Sequence, residues 1–232
     1  MTHEKELSKY YEGNRPEIVK FLPPTYSKVL EIGCGDASFR NNLNENCEYW
    51  GVEPAKLSTQ MDSNTVHRIL AGYFDDVYDD LPDGYFDLVI CNDVIEHVPD
   101  HDSFFCKIKL KMTSDGTIIG SIPNVRYFDN LLNLLRNKDW EYQDSGILDR
   151  THLRFFTEKS LLNVFKKNGF VVEEYSGVNN FLTKTRSIKK LLKYYYLIFV
   201  LSFFVVKNSD IRYQQFAFRI RVDSCLRENL SR

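Results

Sequence analysis

The chain has 232 residues, 43% apolar and 27% charged, with 14 tyrosines and 17 phenylalanines; that is enough apolar surface for one sizeable core and excludes a disordered chain. Thirty basic residues against 32 acidic ones leave a formal net charge of −2, which argues against large nucleic acids as partners. Cys34, Cys47, Cys91, Cys106 and Cys225 show no CxxC pair or metal-ligand spacing, and the N-terminus, Met1-Thr2-His3-Glu4-Lys5-Glu6, has no apolar export core, so reduced thiols and a cytoplasmic location are expected.

Residues 1–27 are expected to form a helical leader or lid: a candidate helix at Glu4–Tyr11, then Asn14-Arg15-Pro16, then a second helical run stopped by Pro23-Pro24. From Lys28 onward, short apolar runs alternate with amphipathic stretches, the pattern of strands joined by crossover helices. The predicted strands are Lys28–Ile32, Tyr49–Val52, His67–Ala71, Phe86–Cys91, Thr117–Ser121, Phe170–Tyr175 and Gln215–Arg221. Helices are predicted near Ala37–Leu43, Ser103–Met112 and Thr157–Asn168, the last capped by Thr157 with Ser160 and stopped by Gly169. Residues 28–232 therefore form one α/β domain, with insertions at about 123–156 and 179–212 that depart from the alternation.

The second insertion carries an apolar run of 13 residues, Tyr194 to Val206, shorter than the roughly 20 residues that a spanning helix needs. Two readings stand. It is a buried helix or homodimer contact through about 191–206, or a helix lying in the plane of a membrane with Lys189, Lys190, Lys193 and Lys207 beside it.

The densest local signal is Val29-Leu30-Glu31-Ile32-Gly33-Cys34-Gly35-Asp36-Ala37-Ser38-Phe39, a strand running through a glycine turn into a helix candidate. Gly33 and Gly35 lack Cβ atoms, so the backbone can turn with positive φ and lie against a ligand. Glu53, 18 residues beyond Gly35 and followed by Pro54, ends the second strand where a carboxylate can accept from both ribose hydroxyls. Ser38 stands where a nicotinamide site would have a third glycine, which speaks against a pyrophosphate cofactor.

Together with Phe86-Asp87-Leu88-Val89-Ile90-Cys91-Asn92-Asp93-Val94-Ile95-Glu96-His97-Val98, these motifs resemble class I S-adenosylmethionine-dependent methyltransferases, above all the ubiquinone-biosynthesis O-methyltransferases. The resemblance runs from about Val29 to Tyr175 and implies a doubly wound, mostly parallel seven-stranded sheet with an antiparallel last strand. It implies S-adenosylmethionine as cofactor, with Glu31 and the Gly33-Cys34-Gly35 backbone facing the methionine part and Glu53 and Pro54 at the ribose. Where such enzymes present a Gly-Asp pair to adenine, this chain has Gly72-Tyr73-Phe74-Asp75, which leaves Tyr73 or Phe74 to flank the purine and Asp75 to reach its amine, or makes them structural. Asn92 and Asp93, at the carboxyl end of the fourth strand, are expected in the cofactor site, or else only cap the turn that follows. The leader is implied to cover the cofactor, with Tyr11 as an aromatic lid and Arg15 as the partner of its carboxylate.

Methyl transfer mainly requires alignment, and an alcohol acceptor also requires a base. His97 and His152 are the candidates for that base, each against a structural alternative; Glu96 with His97 could bind a metal, but the sequence shows no third ligand, and no metal is expected. The first insertion is expected to form the acceptor wall, with Asn124, Arg126, Tyr127, Asp149, Arg150 and Arg154 as substrate-binding residues, Trp140 and Tyr142 adding ring surface, and Phe155-Phe156 in the core. This mixture suits a glycan or other small polar acceptor, and the insertion resembles that of methyltransferases associated with bacterial surface-polysaccharide biosynthesis. O-methylation of a sugar is the leading expectation; N-methylation of an amino sugar, methylation of a quinone precursor, or an inactive cofactor-binding partner subunit are the alternatives.

Overall fold

In the computed structural model of the chain, residues 14–54, 68–202 and 210–223 are described. Seven strands among them form one sheet: β1 (Lys28–Ile32), β2 (Glu48–Glu53), β3 (Arg68–Ala71), β4 (Phe86–Asn92), β5 (Met112–Pro123), β6 (Phe170–Asn180) and β7 (Tyr213–Val222). Their order is β3-β2-β1-β4-β5-β7-β6. The first five run parallel, and β7 is antiparallel to both β5 and β6. All seven predicted strands are present, and several are longer than predicted. β5 begins at Met112, directly after the preceding helix, and β6 continues to Asn180 along β7. Strand order reverses between β1 and β4, which places a crevice at their carboxyl ends, the position where open α/β sheets bind ligands.

Alternate residues of the central strands feed the two faces. Leu30, Val89, Ile118 and Phe218 pack beneath helices α1 (His101–Lys111) and α3 (Glu158–Lys167) through Phe104, Phe105, Ile108, Leu161 and Phe165. Val29, Tyr49, Leu88, Ile90 and Ile119 pack on the opposite face with Ile18, Phe21 and Phe39, so the leader supplies part of the core. α1 starts two residues before the predicted position because Asp100 caps it, accepting from the backbone N–H of Asp102 and Ser103. α3 carries the expected box between Thr157 and Ser160, and Gly169 follows at φ +70°.

The predicted helix at Ala37–Leu43 is instead a 3-10 turn, Ser38–Asn42. Ala37 enters it left-handed at φ +59°, the asparagines that follow favour turns, and the buried Arg40 donates to the carbonyls of Asn44 and Glu45. Likewise, the helical run before Pro23 is only the 3-10 turn Val19–Phe21; the candidate helix Glu4–Tyr11 lies outside the described residues, as do His67 and Cys225.

Both insertions contain helices. The first holds α2 (Phe128–Asn137), and the second holds α4 (Phe181–Lys184) and α5 (Ile188–Ser202). On α5, Tyr194 and Leu197 pack with Phe128, Phe181 and Ile211, while Ile188, Leu192, Tyr195, Tyr196 and Phe199 are exposed. At 100° per residue these five fall on one stripe, with Lys189 and Lys193 on its flank. Among the described residues, no helix is long and apolar enough to cross a membrane.

Candidate active site

The glycine loop leaves β1 and turns under the end of β2. Gly33 (φ +71°) donates to the Val52 carbonyl at 2.8 Å, and Gly35 (φ +55°) donates to Glu53 Oε2 at 2.9 Å. A Cβ on Gly33 would stand 2.7 Å from Val94 Cγ2, so a glycine is required both for the turn and for the approach of the β4 loop. The Cys34 side chain is buried, its Sγ only 2.7 Å from where a Cβ on Gly51 would lie. Only its backbone is left for a ligand, and burial pushes its thiol well up.

Glu31 is buried and accepts a short hydrogen bond from the Tyr49 hydroxyl. Burial pushes its carboxyl up to about 8, against the opposing pull of the Tyr49 bond and Arg15. Asn92, last in β4, has both amide atoms buried without a hydrogen-bond partner. A buried amide in that state costs free energy that a ligand could recover, and it opens at the same strand ends as the glycine loop.

Asp93 and Arg15, both candidates for the cofactor site, hold each other. Arg15 Nη1 donates to Asp93 Oδ2 at 2.7 Å, and its Nη2 donates to Ser121 Oγ at 2.7 Å. Asp93 also accepts from Ser121 Oγ at 2.9 Å and from Gln215 Nε2 at 2.9 and 3.0 Å. This network straps the leader to β4, β5 and β7; Tyr11 lies outside the described residues. Phe74 takes the structural alternative that the sequence leaves open. It is only 6% exposed and packs edge-on with Tyr78 and Phe104 in the core, because it is the one apolar side chain of Gly72–Asp75 that turns toward α1. Tyr73 is 69% exposed and stays available to a ligand, as does Pro54, whereas Asp75 pairs with Lys107 at 2.8 Å.

Beyond β4 a 3-10 turn, Ile95–His97, meets the end of the first insertion. The Glu96 carbonyl accepts from the backbone N–H of Leu153 at 2.8 Å and of Arg154 at 3.1 Å. Asp149 Oδ1 accepts from the Thr151 amide and hydroxyl, closing the turn that carries His152. His97 Nδ1 donates to the Thr151 carbonyl at 3.1 Å, and His152 Nδ1 donates to the Ile147 carbonyl at 3.0 Å. The two rings stand edge to face with centroids 4.8 Å apart, and His152 Nε2 lies 3.9 Å from Glu96 Oε1. Neither Glu96 carboxylate oxygen meets a donor; burial pushes this group well up, and the negative field of Asp93 adds to the effect. Burial and the neighbouring His152 push His97 down. The sequence pairs Glu96 with His97 but does not join His152 to them, since no local signal links residue 96 to residue 152; the fold brings all three together.

The expected acceptor wall is mostly occupied with its own structure. Asn124 is fully buried, donates to the carbonyls of Asp210 and Tyr213, and accepts from the Arg126 amide, so it ties β5 to β7 rather than facing a substrate. Asp149 is buried in its turn. Arg126 pairs with Asp210 at 2.7 Å and Arg150 with Asp144 at 2.6 Å, while Arg154 donates to the carbonyls of Leu153 and Pro99. Phe156 is in the core as expected, but Phe155 meets Trp140 edge to face and Tyr142 at a tilt outside it. Tyr127 borders a cleft of about 580 Å³ between α2, the insertion and α5, lined also by Asn130, Arg136, Gln143, Lys193 and Gln214. None of the residues lining the cleft belongs to the glycine loop, and its wall mixes the amides Asn130, Asn133, Asn137, Gln143 and Gln214 with charged side chains.

A family model described as a methyltransferase domain matches residues 4–175. The chain is 24% identical over 157 residues to a ubiquinone biosynthesis O-methyltransferase of Rickettsia bellii (strain OSU 85-389), covering 65% of this chain and 64% of that one. It therefore spans just under two thirds of that relative's length. Among solved structures, a SAM-dependent methyltransferase from Archaeoglobus fulgidus superposes with a TM-score of 0.64 at 18% identity, covering 94% of this chain and 98% of the other. A 1,6-didemethyltoxoflavin-N1-methyltransferase from Burkholderia thailandensis, with S-adenosylhomocysteine bound, gives 0.59 at 13% identity, covering 96% and 84%. At such identities the structural matches speak for the fold alone.

Proposed function

The chain belongs to the methyltransferase-domain family, and on that premise we propose that it uses S-adenosylmethionine to O-methylate a sugar or another small polar acceptor. The observation that carries the cofactor reading is the orphaned amide of Asn92 beside the positive-φ loop of Gly33 and Gly35. The residues present fit the cofactor. Glu31 offers a carboxyl, Gly33, Cys34 and Gly35 offer bare backbone, Glu53 stands at the end of β2, Asn92 supplies the unpaired amide, and Tyr73 and Pro54 supply exposed surface at the rim. When bound, the cofactor supplies a methyl group on a sulfonium, so the protein has mainly to align and shield the reactants.

His97 and His152 are the groups of this chain assigned to the acceptor side. Each donates from Nδ1 to a carbonyl, which leaves its lone pair on Nε2. The polar cleft beside Tyr127, with its amides and charged groups, suits a polyhydroxylated acceptor, and Asn130, Arg136 and Gln143 would replace Asn124, Asp149 and Arg150 as its contacts. The name of the Rickettsia relative favours a second reading, a quinone-precursor acceptor; N-methylation of an amino sugar and an inactive cofactor-binding subunit complete the alternatives. The test is titration with S-adenosylhomocysteine, then turnover on a panel of nucleotide sugars, amino sugars and quinone precursors, scored by S-adenosylhomocysteine release. Saturable binding with transfer to a sugar hydroxyl supports the proposal. Failure to bind overturns it, and binding without any transfer assigns the chain to the inactive class.

The exposed stripe of α5 supports a peripheral contact with an anionic lipid surface from the cytoplasmic side. Ile188, Leu192, Tyr195, Tyr196 and Phe199 would enter the headgroup boundary, with Lys189 and Lys193 beside them at the phosphates. Flotation with vesicles containing phosphatidylglycerol should succeed for the native chain and fail for Leu192→Asp with Phe199→Asp. Concentration-dependent dimerisation without flotation would assign the stripe to a second copy instead.

A further inference from the structure

We propose that Glu96, His97 and His152 bind one divalent transition-metal ion, of which zinc is the best match. One ligand atom from each of the three lies within 4.8 Å of the others. The sequence offers only Glu96 and His97 as neighbours; the fold brings in His152 from 55 residues downstream.

Three features indicate a built site rather than a chance meeting. First, Glu96 is 1% exposed and neither of its carboxylate oxygens has a hydrogen-bond partner, a costly arrangement unless a cation takes up the oxygens. Second, both histidines spend Nδ1–H on backbone carbonyls, those of Thr151 and Ile147. Metal-bound imidazoles use the same device to fix the tautomer and turn Nε2 to the ion. Third, the two segments are locked by backbone bonds from Leu153 and Arg154 to the Glu96 carbonyl, so the donors are positioned before any ion arrives.

The donor set indicates which ion. Two imidazoles and one carboxylate suit zinc, iron or manganese, whereas calcium and magnesium favour all-oxygen shells. Three protein ligands also leave a position open for an outside oxygen, the arrangement of reactive zinc sites. In a role that rests on the methyltransferase reading above, that oxygen is the acceptor hydroxyl. Bound to the ion it loses its proton to solvent more readily, and its lone pair then attacks the methyl group while the sulfur leaves with the bonding electrons. His97 and His152 then serve as ligands rather than as the base.

The test uses the full chain, stripped with a chelator and dialysed in parallel against zinc, manganese and magnesium chlorides, with bound metal measured by mass spectrometry. The expected result is one saturable equivalent of zinc, tighter than magnesium, that raises the melting temperature. Glu96→Gln and His152→Ala should each weaken zinc binding at least about tenfold and abolish the zinc-dependent rise in melting temperature. His97→Asn, at a half-buried position, serves as a third variant should either of the buried ones fail to fold. No saturable zinc in the native chain, or full retention of zinc by folded variants, overturns the proposal. S-adenosylhomocysteine binding to the same stripped protein is scored separately, so loss of the metal site and loss of the cofactor site give different results.

Discussion

Glu31 makes the stability of the unliganded protein depend on pH in a defined direction. Its carboxyl has an ordinary value of 4.5 and is raised to about 8 in the folded chain by burial. Between those values the unfolded chain releases the proton while the folded chain retains it, so this group withdraws stability as pH rises from about 4.5 to 8 and adds no further change above that. Each pH unit in the window is worth about 1.4 kcal/mol. From pH 5 to pH 8 the loss is therefore roughly 3–4 kcal/mol at most, or roughly 10 °C in melting temperature for a chain of this size. Glu31→Gln keeps an acceptor for the Tyr49 hydroxyl and has no proton to lose. Thermal denaturation of both proteins at pH 5, 6.5 and 8 should show the variant gaining on the native chain by that amount as pH rises. A constant gap between the two curves, or one that closes with pH, would refute the assignment of a neutral buried carboxyl.

Asn92→Leu removes two orphaned polar atoms, so its melting temperature should hold or rise while affinity for S-adenosylhomocysteine falls about tenfold by calorimetry. Unchanged affinity would remove Asn92 from the site. Gly33→Ala meets both a φ of +71° and a Val94 methyl at 2.7 Å; denaturant titration should show a loss of about 1–3 kcal/mol. Adding Val94→Ala should recover the steric part of that loss but not the conformational part. Arg15→Ala leaves Asp93 with Ser121 and Gln215 alone, and should cost about 1–3 kcal/mol and hasten proteolysis of the leader. Equal digestion rates would show that the leader is held by Ile18 and Phe21 instead.

Signals contained within a few neighbouring residues were legible, and those that depend on distant partners were not. Strand alternation, the glycine turn and the Thr157–Ser160 cap each sit inside one short window, and each appears in the fold as read. The helix expected at Ala37–Leu43 from the apolar spacing of Ala37, Phe39 and Leu43 does not form, because the turn preference of Asn41, Asn42 and Asn44 outweighs that spacing. The expected ligand groups Arg15, Asp93, Asn124 and Arg126 look alike in sequence whether they face a substrate or one another. In these bonds their partners Ser121, Asp210 and Gln215 lie 28 to 122 residues away, and only the folded sheet brings them together. The same limit hid the convergence of Glu96 with both histidines.

The placement of β7 bears on how the chain is made. Among the described strands, β6 meets the rest of the sheet only through β7, which slots between it and β5 although it follows both in the chain. Until residues up to Val222 have emerged, β5 and β6 both present open backbone edges, and neither can close the sheet. The N-terminal strands can assemble during synthesis, but completion must wait until Tyr213–Val222 has emerged. A nascent chain that stalls before β7 would therefore be a sticky, chaperone-dependent species.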